Sequence, residues 1–218
     1  MLAANGNYDG GMSTWKAFCE TVHIVALALW LGFVVAAGTF AATVFGVTKS
    51  LDPRLPGYEA YAGEHYLIVG GKMAQTVFFV ADVVQFACSL IVVTTLIAIL
   101  KMRGAESKRA AMVIRASAVV VAMACVASLL VIVNPKLTTA TRLYWEAARA
   151  GDAATVAVHK AIAADTHPYA SALMVTTAIM VLVAIVSAVW SISRPGTPGP
   201  GEPRERLPER ALLRGARA

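Results

Sequence analysis

The chain has 218 residues, of which 58% are hydrophobic and only 15% charged. A soluble globular domain is charged at roughly a quarter of its residues, so this composition excludes an ordinary soluble fold and fits one membrane domain with polar tails. The net charge of +6 finds a sufficient partner in anionic membrane lipid, and nothing in the chain calls for a nucleic acid.

Four stretches lack Asp, Glu, Lys and Arg altogether: residues 21–48, 83–100, 116–135 and 166–193. As helices rising about 1.5 Å per residue, each crosses, or nearly crosses, the roughly 30 Å of hydrocarbon in a bilayer. The second reaches back to Met73 if it carries one acid, Asp82. The expected fold is therefore all-α, an integral membrane four-helix bundle with short interfacial helices in the outer loops.

Residues 1–15 are polar and rich in Gly and Asn, with Trp15 and Phe18 placed for an aromatic belt. The first helix is expected over about 16–47. Its uncharged run is far longer than a signal-peptide core of about 7–15 residues, so a retained helix is expected. Ala28, Gly32 and Ala36 form one small-residue stripe on it, and Gly38, Ala42 and Gly46 another. Such stripes let helix backbones approach closely in lipid. The loop from Lys49 to Gly71 opens on the turn signals Asp52-Pro53 and Pro56-Gly57. Tyr58, Tyr61 and Tyr66 then suit a short helix at headgroup depth.

The second helix is expected over about 72–100. The third spans about 107–134, with Ser107 as N-cap and Pro135 as its stop. The following loop reads as two helical pieces, Thr139 to Ala150 and, capped by Asp152 after Gly151, a second to about Ala164. The fourth helix, about 168–193, begins at Pro168, which suits a first turn. Residues 194–218 form a Pro/Gly- and Arg-rich tail. The short basic loop after the second helix, with Lys101, Arg103, Lys108 and Arg109, puts both termini in the cytoplasm.

Polar residues within the apolar spans are the candidate site. Asp82 is costly in hydrocarbon, so it implies either function or a specific partner. Gln75 and Gln85 share roughly its helix face, and Ser128, Ser171, Thr176 and Thr177 lie at levels that could meet it. Two readings stand: a proton or ion relay, or an acid that fixes helix packing through hydrogen bonds. His23 and Arg115 lie towards the inner side, away from Asp82. His23 raises the question of haem b, but no second histidine occupies a span. His65, His159 and His167 in the outer loops are weak candidates for zinc or copper, without tight ligand spacing. Cys19, Cys88 and Cys125 read as buried small hydrophobes. No phosphate loop, dinucleotide fingerprint, zinc-protease motif or nucleophile elbow occurs, so no enzyme is expected and no cofactor is required.

The string His23-Ile24-Val25-Ala26-Leu27-Ala28-Leu29-Trp30-Leu31-Gly32 resembles the opening of a bacterial four-helix membrane family of unknown function related to the transmembrane protein 205 group. Val133-Asn134-Pro135-Lys136-Leu137, the set Arg142, Tyr144-Trp145 and Arg149, and His167 before the last helix are similar to that family's pattern. The resemblance spans about residues 16–193 and implies a four-helix fold in a bacterial cytoplasmic membrane. It brings no established chemistry. The expected function is a non-catalytic structural, assembly or accessory subunit of a larger membrane complex, partnered by other subunits or by itself. A small oligomeric transporter or proton conductor using Asp82 is the alternative. A haem or copper protein using His23 or the outer histidines is the second.

Overall fold

The computed structural model describes residues 8–102 and 109–193, and side chains for 14–102 and 110–191. Five α-helices and one π turn follow in order: α1 (Tyr8–Leu51), α2 (His65–Met102), α3 (Arg109–Ser128), the π turn (Leu129–Val133), α4 (Asn134–Ala150) and α5 (Ala153–Ser193). No strand occurs among the described residues. Because α3, the π turn and α4 run on without a break, the bundle has four rods. All four are long and apolar enough to span a bilayer, with hydropathy between 2.3 and 2.7 over their best windows. The chain is an integral membrane protein built as a four-helix bundle.

The rods are longer than the sequence indicates. α1 has 44 residues and α5 has 41, about 60 Å or more at helical rise, against roughly 40–45 Å for a bilayer with its headgroups. The segments expected as separate interfacial helices after Pro135 are extensions of the third and fourth rods. Pro135 does not end its helix. A proline ring collides with the carbonyl four residues back, but the turn before it is widened: the Asn134 N–H reaches the Leu129 carbonyl, five residues back. The extra residue in that turn lets the helix pass the ring. Pro168 likewise lies inside α5 rather than at its start. The first outer loop holds no helix over residues 52–64, and Tyr66 already belongs to α2. Ser107, the expected N-cap, and the tail 194–218 lie outside the described residues.

α1 packs chiefly on α2, and the α3–α4 rod on α5; contacts of α1 with α5 and of α2 with α3 close the ring. The interior is lined by Leu27, Trp30, Val92, Ile99, Val119, Ala122, Val181 and Ala184, all almost or fully buried. The loop end of the bundle, where residues 52–64 lie, has its own small core of Tyr58, Ile68, Tyr144, Ala147, Ala148 and Val156. A tight turn at Gly151 joins α4 to α5 there. Its φ of 72° is left-handed, and a Cβ would come within 2.9 Å of the Ala60 Cβ, so glycine is required on both counts. Asp152 then caps α5, accepting from the Thr155 N–H and hydroxyl at 3.1 and 2.6 Å. Those bonds hold its carboxyl below the usual aspartate range.

Candidate functional site

Polar side chains meet inside the bundle in two layers. The layer nearer the loop end is built on Asp82, which points from α2 towards the start of α4. Asn134 Nδ2 donates to Asp82 Oδ2 at 2.7 Å, and Gln85 Nε2 lies 3.5 Å from the other carboxylate oxygen. Trp30 Nε1 donates to Gln85 Oε1 at 3.3 Å, and both residues are almost wholly buried. One acid therefore organises a chain of contacts from α4 through α2 to α1. Its partner corrects the sequence expectation. Ser128 and Thr177 turn their hydroxyls back on the carbonyls of Ala124 and Leu173 in their own helices, so neither meets Asp82. Gln75 does not join the layer either; it is exposed on the outer surface of α2.

The layer nearer the chain termini is ionic. Arg115, fully buried, donates from Nη1 to Glu20 Oε2 at 2.8 Å and from Nη2 to Ser191 Oγ at 2.8 Å. Three rods are thereby joined at one guanidinium. Beside it His23, also fully buried, places Nδ1 2.9 Å from the Thr95 hydroxyl. That hydroxyl itself donates to the Ile91 carbonyl at 2.7 Å, so its oxygen can accept from Nδ1–H. The other ring nitrogen, Nε2, is buried without a hydrogen-bond partner, as is Arg115 Nε. A charge inside a membrane bundle needs a partner charge and hydrogen bonds together. Glu20 and Ser191 supply both.

Glu20, Thr95, Asn134 and Ser191 belong to these layers and are not among the site residues expected from the sequence. Glu20 stands one residue before the uncharged run that marks the first span, which drew attention away from it. Its signal was available: Arg115 opens an apolar helix and needs an acid at its own depth. In the sequence Asn134 stands out as part of the Val133-Asn134-Pro135-Lys136-Leu137 motif and as the residue before a proline, not as a partner of Asp82.

The two layers are about 10 Å apart along α1, the rise of the seven residues between His23 and Trp30. Leu27 and Val92, both fully buried, fill the space between them.

The small-residue stripes expected to mediate packing do not pack inside this chain. Ala28, Gly32, Ala36, Gly38, Ala42 and Gly46 are all exposed, and a Cβ on Gly32, Gly38 or Gly46 would meet nothing within 4 Å. The inward small residues of α1 are Ala26 and Ala37. What the outer side offers is a straighter face. Gly32, Ala36, Thr39, Thr43 and Gly46 follow the 4-3-4-3 spacing of one helix side, and every one is exposed. Both threonines fold their hydroxyls onto α1 carbonyls, leaving methyl groups outward.

The outer histidines do not converge on a site. His65 is used by the loop, its Nδ1 accepting from the Leu55 N–H and its Nε2 donating to the Tyr61 carbonyl, each at 3.1 Å. His159 is half-buried and His167 is exposed. Among the described residues no group of three or more His, Cys, Asp or Glu side chains is placed to hold a metal ion. All three cysteines are buried and unpaired.

No protein-family model, no curated protein and no solved structure matches this chain, so its function is argued from its own geometry.

Proposed function

We propose that the protein is a non-catalytic subunit of a membrane assembly, joined to its neighbour through the outward face of α1. One observation carries this reading: the straight face of Gly32, Ala36, Thr39, Thr43 and Gly46 is exposed and unused among the described residues. Close approach of small residues is a main source of helix association in lipid, where apolar side chains gain little by leaving the acyl chains. A face of glycine, alanine and threonine methyls suits a second helix better than it suits acyl chains. The interior polar residues have a role in the same account. Asp82 and Arg115 join the rods to one another and fix the bundle that presents the face. The resemblance to the four-helix family of bacterial cytoplasmic membranes, and the placing of both termini in the cytoplasm, belong to this proposal.

The test is the mass of the protein gently solubilised from its native membrane. A subunit gives a species larger than one chain, which Gly32→Leu or Gly46→Leu shifts towards the single chain. A wild-type monomer with no co-purifying protein overturns the reading.

A second reading, proton conduction through Asp82, is favoured by the buried His23 Nε2 that no protein group engages. It requires protons to pass the Leu27–Val92 packing between the two layers. Proton flux in vesicles, lost in a folded Asp82→Asn protein, would establish it. The haem reading requires the bundle to part around His23, whose ring is wholly enclosed.

A further inference from the structure

At the loop end two cations converge on one aromatic ring. Lys72 Nζ lies 5.2 Å from the centre of the Tyr58 ring, and Arg149 Cζ lies 5.2 Å from the same centre. The two charges are thus no more than twice that distance apart. Lys72 Nζ is also 5.6 Å from the Trp145 ring and donates to the Tyr58 hydroxyl at 3.3 Å. Tyr58 itself is buried, so the ring is a fixed platform, while both cations are exposed.

Neither cation has a carboxylate partner among the described residues. The acids nearby with contacts are occupied elsewhere. Glu59 accepts from the Gly57 N–H at 2.8 Å, which holds its carboxyl below the usual range. Glu64 faces Lys160 at 3.7 Å and Tyr66, Glu146 faces Arg142 at 4.0 Å, and Asp152 caps α5. Aromatic rings attract cations but neutralise no charge. The two like charges share one ring, and an anion within reach of both neutralises them together. Lys72 retains ammonium protons beyond the one given to Tyr58, and a guanidinium suits phosphate oxygens.

The source of the anion follows from what lies below Lys72. Lys72, Thr76, Phe79, Val83, Phe86 and Leu90 form a single straight stripe on α2, and every residue in it is exposed. Phe79 is 68% exposed and Val83 54% exposed, which places them against lipid. Lys72 caps this stripe where the apolar span begins, at headgroup depth. Phe79 lies about 10 Å below it along the helix, within reach of the upper part of an acyl chain attached to a phosphate at Lys72.

We propose that the loop end carries a site for one anionic phospholipid, its phosphate between Lys72 and Arg149 and an acyl chain along Phe79 and Val83. Tyr58 and Trp145 position the lysine. The site is independent of any association through α1.

Full-length protein, delipidated in mild detergent, is offered phosphatidylglycerol or phosphatidylcholine, and lipid retention is read by native mass spectrometry alongside the melting temperature. The expected result is a preference for phosphatidylglycerol on the order of thirtyfold, the scale of two basic residues at a charged surface. Lys72→Gln with Arg149→Gln removes the preference. Lys136→Gln with Arg142→Gln, the same change in charge at the same end, keeps it, as does Lys72→Arg. Both substituted side chains are exposed, so the variants should melt like the wild type without lipid; Lys72→Gln and Arg149→Gln singly, each losing part of the preference, cover the case in which the double variant does not. Equal loss in the two double variants would overturn the site in favour of general charge attraction. Equal stabilisation by inorganic phosphate or glycerol phosphate would overturn the lipid assignment and leave a soluble-phosphate site. No preference in the wild type would overturn both.

Discussion

Replacing Glu20 by Ala leaves the Arg115 guanidinium fully buried without its counter-charge. The ion pair is 2.8 Å long with side chains 0% and 8% exposed, so solvent screening is slight. Loss of one partner from such a pair costs about 3–5 kcal/mol, because the remaining charge stays desolvated. Arg115→Met takes the guanidinium from Glu20 and falls in the same range. The double variant Glu20→Ala with Arg115→Met buries no charge, and its cost should lie well below the sum of the two. The expected coupling is at least about 2 kcal/mol, where independent sites add within about 0.3–0.5 kcal/mol. Reversible unfolding in mixed micelles, followed by circular dichroism for all four proteins, measures it. Additive losses would refute the argument, since they would mean that Glu20 and Arg115 do not share one buried pair.

Asp82→Asn should change stability by less than about 1 kcal/mol, because an Asn carbonyl still accepts from Asn134 Nδ2. Asp82→Leu should cost about 1–3 kcal/mol in the same unfolding assay by stranding the Asn134 and Gln85 amides, and equal effects of the two would contradict the packing role. Pro135→Ala should leave the helix continuous and stability within about 1 kcal/mol, since the π turn already accommodates the ring; loss of helical signal would show that the proline shapes the turn in another way. A reporter fused after Arg103 should be cytoplasmic and one after Ala150 outside, and the reverse pattern would invert the bundle in the membrane.

Much of the architecture is legible in composition. The four uncharged runs predict four rods because hydrocarbon penalises charge at every depth, whatever the helices pack against. Their ends are less legible. Pro135 and Pro168 are strong stop or start signals in water, yet both lie inside rods, Pro135 because a widened turn accommodates its ring. Asp82 stands out in the sequence as an acid in a span, whereas its partner depends on rotation and depth. An error of one residue turns a side chain by about 100°, so Ser128 and Thr177 were as plausible as Asn134. The stripes on α1 follow from small residues spaced four apart, which does not say which side of the helix they face. Only the packed bundle reveals which side of a helix is already occupied, and the six chosen residues all lie on the side that is not.

The central claim is that the outward face of α1 joins this chain to another. The most direct measurement is the native mass of wild-type, Gly32→Leu and Gly46→Leu proteins extracted in parallel from their own membrane. All three should share the same melting behaviour, since a Cβ at either glycine meets nothing within 4 Å in the single chain. The account predicts a wild-type complex heavier than the 22.9 kDa chain and a lighter species for both variants. A single-chain mass for the wild type, or an unchanged larger complex in both variants, would contradict it.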